Sequence, residues 1–65
     1  MEWMAIIRNS IQFIEDNLAG ELSADAVARA VHMSPFYFQK GFAMLCGMTV
    51  GEYIRSRRLA RAGVG

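Results

Sequence analysis

An all-α fold of four short helices follows from three observations on this sequence. Apolar residues recur every three or four positions, and no segment alternates as a half-buried strand would. Ser23, Ser34 and Thr49 stand as capping residues ahead of periodic segments, and Gly20 and Gly47 stand where such segments end. The connections left between them are only a few residues long. The pattern predicts helices at about 3–18, 24–31, 35–46 and 50–62, together one domain over residues 1–65.

In the first helix Trp3, Ile7, Ile11, Ile14 and Leu18 form one stripe, widened by Ile6 and Phe13. Arg8, Gln12, Glu15 and Asp16 fall mostly on the opposite side, and Gly20 is the expected stop. The second helix is short: Ser23 caps it, and Asp25 in its first turn complements the helix dipole. Val27 and Val31 point inward, while Ala28 and Ala30 let another helix come close.

The third helix begins at Ser34-Pro35, a cap followed by proline at the first helical position, where its missing N–H costs nothing. At 100° per residue, Phe38, Gly41, Phe42 and Leu45 share an inward side. Phe36, Lys40 and Ala43 face the other way, with Gln39 on their flank. Gly41 sits mid-helix, which calls for a compensating close approach by another helix. Thr49 and Glu52 have capping-box spacing at the start of the fourth helix. There Val50, Tyr53 and Ile54 are apolar, and Arg57, Arg58 and Arg61 follow on the same side. The stripe turns from apolar to basic, so the first half is expected to pack on the domain and the second half to leave it. Gly63-Val64-Gly65 reads as a tail.

The chain has 65 residues, 54% of them hydrophobic, with a single cysteine, Cys46, and so no intrachain disulfide. No apolar run approaches the roughly 18 residues of a membrane span, and the N-terminus lacks signal-peptide character. A cytoplasmic protein without membrane partners is expected. The net charge of +1 hides an asymmetry. Residues 1–33 hold Arg8 and Arg29 against Glu2, Glu15, Asp16, Glu21 and Asp25. Residues 34–65 hold Lys40 and four arginines against Glu52 alone. The second half can therefore face a polyanion; equally, it can be a solvated surface balanced by an acidic neighbour.

Two helices joined by about three residues, the second capped and two-faced, fit a helix-turn-helix. In that motif the N-terminal residues of the second helix meet base edges in the major groove of double-stranded DNA. Here those residues are Phe36, Gln39 and Lys40. A glutamine amide pairs with adenine, a lysine donates to guanine or phosphate, and an aromatic ring presses on a thymine methyl. Tyr37, Ser23 and Ser34 would meet phosphates through hydroxyls and free helix N–H groups. Spacing alone leaves a second reading open: a helical protein-interaction or dimerisation module in which Phe36 docks on a protein.

The residues resemble a known family. Phe13-Ile14-Glu15-Asp16-Asn17-Leu18, Leu22-Ser23, Val27-Ala28 and Met33-Ser34-Pro35-Phe36-Tyr37-Phe38-Gln39-Lys40 match in unbroken order. Phe42, Gly47-Met48-Thr49-Val50-Gly51-Glu52-Tyr53-Ile54-Arg55 and Arg58-Leu59 continue the match. The pattern is similar to the first half of the DNA-binding domain of AraC-type transcription regulators. The resemblance implies a sequence-specific regulator whose full domain carries two helix-turn-helix units joined by a long connector helix. By position it implies that Phe36, Gln39 and Lys40 face bases, that Phe38 and Phe42 are core, and that the helix from Thr49 is the connector. RNA polymerase is a further partner of such regulators.

The sequence departs from the family pattern in three ways. It ends where the second helix-turn-helix would begin. Gly41 stands for a bulkier apolar residue, and His32 occupies a turn position often held by glycine. A start at Met1 resembles members in which the DNA reader comes first. Without the second unit, apolar surface near Val50, Ile54 and Leu59 should lie partly uncovered and could drive self-association.

No chemistry competes with this reading. One histidine, His32, and one cysteine cannot make a structural zinc site. Glu15 and Asp16 are sequence neighbours that point apart on a helix, so they make a poor acid–base pair. There is no phosphate loop and no triad. No enzyme activity, cofactor or metal is expected.

Overall fold

The computed structural model describes residues 2–62, and the expected tail at 63–65 lies outside them. Four helices follow in order: α1 (Trp3–Asp16), α2 (Ala24–Ala30), α3 (Pro35–Cys46) and α4 (Val50–Ala62). The described residues contain no strand. The all-α expectation stands, and α3 and α4 have the limits read from their caps.

Two helix ends differ from expectation. α1 stops at Asp16, because Asn17 ends it from its own side chain. The Asn17 N–H turns back to Ile14 O at 3.1 Å, and Nδ2 donates to Phe13 O at 2.8 Å. A short amide that bonds the preceding carbonyls competes with helix continuation. Gly20 is thus not the stop; it lies in the following turn, its N–H on Asn17 O. α2 ends at Ala30 in a Schellman closure. The Met33 N–H bonds Ala28 O at 2.9 Å and the His32 N–H bonds Arg29 O at 3.0 Å. His32 takes φ 61°, the left-handed geometry that histidine adopts more readily than most side chains.

The starts are side-chain caps. Ser23 Oγ accepts from the Ala26 N–H and Ser34 Oγ from the Tyr37 N–H. Thr49 and Glu52 form the reciprocal capping box, at 3.1 and 2.9 Å. Glu2, which the sequence reading passed over, caps α1 by accepting from the Met4 N–H.

α2 packs between α1 and α3, and α4 packs on α3. The core gathers Ile14, Leu18, Val27, Ala28, Phe38, Phe42, Val50 and Ile54, all buried. The Phe38 and Phe42 rings lie 5.7 Å apart, and the Tyr53 ring meets Phe42 edge-on at 5.9 Å. Ser10 is also fully buried, an unexpected polar group whose Oγ donates to Ile7 O at 2.7 Å within its own helix. Two side chains assigned inward or toward a helix crossing are placed otherwise: Leu45 is 55% exposed and Ala30 is exposed. Val31 is half-buried and packs against the core as expected. Cys46, on the neighbouring flank of α3, packs against the core where Leu45 does not.

Gly41 does meet a close neighbour, but it is a ring and not a helix. A Cβ there would run into the Trp3 indole, 2.6 Å from Cζ2 and 2.8 Å from Cζ3. That contact offsets the roughly 1 kcal/mol a mid-helix glycine costs relative to alanine.

The basic half of α4 does not leave the domain as expected. Arg57 Nε donates to Glu15 Oε2 at 2.7 Å, a second contact running from Nη2 to Oε1 at 3.4 Å. Arg58 donates to Leu18 O and Gly20 O at 3.2 and 2.7 Å. Glu15 therefore faces α4 while staying partly exposed. The Arg57 bond holds its carboxyl below the usual carboxylate range.

Two measurements check this frame. Gly47 closes α3 at φ 77° in open space, so Gly47→Ala should destabilise by about 1–2 kcal/mol through backbone strain alone. Gly51→Ala, also in open space but helical, should be neutral or stabilising by up to about 1 kcal/mol. Urea titrations that give both the same sign would refute the distinction. Because the folded-state pKa of Glu15 is depressed, its contribution is present above the unfolded value of about 4.3 and is lost as pH falls through the folded value. The melting temperature of wild type should drop more steeply below that pH than that of Glu15→Gln. Parallel curves would show that the ion pair adds no stability.

Candidate nucleic-acid interface

The six residues expected to contact DNA come from two helix starts. Ser23 opens α2; Ser34, Phe36, Tyr37, Gln39 and Lys40 come from the cap and first turns of α3. Four residues, Val31–Ser34, separate the two helices, and the Schellman closure at His32–Met33 sets the corner between them. With Phe38 and Phe42 taken into the core, the helical period turns Phe36, Gln39 and Lys40 to solvent. All three are exposed, Phe36 at 77%.

Lys40 Nζ stands 6.0 Å from the centroid of the Phe36 ring, one turn away. At an exposed site such a contact is worth about 0.5–1 kcal/mol, little enough to give up for a better partner. Tyr37 lies to one side at 52% exposure, its ring 5.8 Å from that of Trp3. The Ser23 and Ser34 oxygens accept the cap bonds, which leaves each hydroxyl proton free to donate outward.

The Trp3 ring joins Phe36, Tyr37 and Lys40 in lining a shallow groove of about 360 Å³ on this side. Sequence reasoning assigned Trp3 only to the α1 stripe. The costly glycine at 41 signalled a close neighbour, but nothing in the sequence named Trp3 as that neighbour. Met44, 75% exposed, extends the outward stripe one turn beyond Lys40.

The charges of α4 are divided. Arg57 is committed to Glu15, and Arg58 spends its donors on the carbonyls after α1, while Arg55 and Arg61 are exposed. Burial pushes the half-buried Cys46 thiol up, toward the unreactive protonated form. Among the described residues no group of three or more His, Cys, Asp or Glu side chains is placed to hold a metal ion. No described helix is long and apolar enough to cross a membrane.

Comparison with known proteins gives relatives along almost the whole chain. It is 39% identical to the transposon Tn10 TetD protein of Escherichia coli, over 91% of this chain and 43% of that protein. It is 38% identical to the regulatory protein SoxS of Salmonella typhimurium, over 98% of this chain and 60% of the relative. It is 38% identical to the HTH-type transcriptional activator AarP of Providencia stuartii, over 89% of this chain and 43% of the relative. The chain thus spans about half the length of the curated relatives it matches. No family profile matches it, and no solved structure does. The quoted motifs, the four-helix frame and these relatives agree on an AraC-type helix-turn-helix fragment.

Proposed function

We propose that this chain is the first helix-turn-helix subdomain of a sequence-specific transcription regulator and that α3 enters the major groove of double-stranded DNA. One observation carries the reading: the core takes Phe38 and Phe42 from α3 and leaves Phe36, Gln39 and Lys40 together on its solvent side, next to a capped N-terminus. In this reading Gln39 pairs with a base through its amide, Lys40 donates to guanine or phosphate, and Phe36 rests on a thymine methyl or sugar. Ser23, Ser34 and Tyr37 donate to phosphates and set the register. α4 is the connector toward a second unit. The proposal carries a cytoplasmic location, no catalysis, and RNA polymerase as a protein partner, as suits a relative named as an activator.

Self-association is the second reading, and the structure narrows it. Val50 and Ile54, near which partly uncovered apolar surface was expected, are buried in the core, because α4 lies on α3 over that stretch. Of the named residues only Leu59 is largely exposed. Of the other large exposed apolar side chains among the described residues, Phe36, Tyr37, Met44 and Leu45 lie on α3, Met4 on α1 and Met48 just after α3. A sizing column that shows dimers, together with no affinity for any duplex, would favour this reading over DNA binding.

Two substitutions test the DNA assignment. Gln39→Ala should weaken binding to a preferred duplex by about 1–3 kcal/mol and relax base preference at one position. Unchanged affinity for every duplex would remove Gln39 from base readout. Lys40→Ala should reduce the slope of log affinity against log salt by about 1; an unaltered slope would take Lys40 out of the phosphate contacts.

A further inference from the structure

The rotation of α3 about its own axis decides where Phe36, Gln39 and Lys40 point. Phe38 and Phe42 hold the helix from the core side. A second hold comes from the flank. The Trp3 indole occupies the volume that a Cβ at Gly41 would need, with Cη2, Cζ2 and Cζ3 as its nearest atoms. The same ring packs against Tyr37, centroids 5.8 Å apart and planes inclined at 54°. It therefore touches α3 at two positions four residues apart, which lie one above the other on a helix. Contacts from two directions fix a rotation that one direction alone would leave free to rock. Trp3 also forms one wall of the groove that Phe36 and Lys40 line.

We propose that Trp3 is a positioning residue for base readout: inserted at Gly41 and braced on Tyr37, it sets the rotation of α3 and so the aim of Phe36, Gln39 and Lys40. This rests on the assignment of α3 as the DNA reader. The absent side chain at 41 and the ring from α1 act as one device, the glycine giving the space and the tryptophan filling it.

The test uses wild type, Trp3→Ala, Trp3→Phe, Gly41→Ala and the double variant Trp3→Ala/Gly41→Ala. It has a DNA-free arm and a DNA arm. Without DNA, Gly41→Ala should displace the indole, abolish its near-ultraviolet circular dichroism and lower the melting temperature. In the Trp3→Ala background the same change should no longer lower it. Trp3→Ala should move the amide resonances of residues 36–40. The DNA arm uses a duplex selected by wild type from a randomised library, and a scrambled duplex. Trp3→Ala should reduce the preference for the selected duplex roughly tenfold while binding to the scrambled one holds, because phosphate contacts tolerate a small rotation and base contacts do not. Trp3→Phe, which keeps a smaller ring, should fall between and serves in place of Trp3→Ala if that variant fails to fold. A folded variant with wild-type preference and unmoved amides overturns the proposal. If wild type selects no duplex, the DNA reading fails by itself, and the resonances of residues 36–40 decide the positioning claim: unmoved in Trp3→Ala, they overturn it.

Discussion

Phe38 and Phe42 sit one turn apart on α3, fully buried, with Tyr53 of α4 edge-on to the second ring. Every helix contributes to the core they complete, through Ile14 from α1, Val27 and Ala28 from α2, and Val50 and Ile54 from α4. Removing a buried phenylalanine ring costs about 3–5 kcal/mol. A domain of this size has a total stability of the order of 3–10 kcal/mol. The two rings therefore command a large part of the margin and decide which side of α3 faces inward. Trp3 adds a second hold on that helix from its flank.

The remaining interactions keep that helix in place from its ends and flanks. Serine caps start α2 and α3, a Schellman closure turns the corner between them, and a left-handed glycine ends α3. Each is worth about 1 kcal/mol, and none demands burial. The N-terminal end of α1 reaches α3 through Trp3, and its C-terminal end is held by Arg57 and Arg58 of α4. The acidic first half and the basic second half of the chain are thus joined in space by Glu15 and Arg57, and part of the basic surplus is spent inside the fold. Arg55, Arg61 and Lys40 remain exposed.

Much of this was legible from local chemistry. The helix count, the caps at Ser23, Ser34 and Thr49, the buried phenylalanines and the exposure of Phe36, Gln39 and Lys40 all depend on neighbours within about four residues, where helical geometry relates positions reliably. The end of α1 was misjudged because Asn17 acts through a side-chain bond that competes with a stronger-looking glycine signal. Leu45 was misjudged because periodicity defines a stripe and not how wide the partner surface is. Cys46, not Leu45, packs against the core.

Sequence by itself determined that the chain is helical, where most helices start and stop, and which side of α3 is apolar, since each rests on interactions within a turn. Only the tertiary structure decided that Glu15 meets Arg57 across 42 positions, that Arg58 binds the carbonyls that follow α1, and that the indole of Trp3 fills the place of a side chain at Gly41. Those pairings join residues far apart in the chain, and periodicity carries no information about which distant surfaces come together until the core has packed.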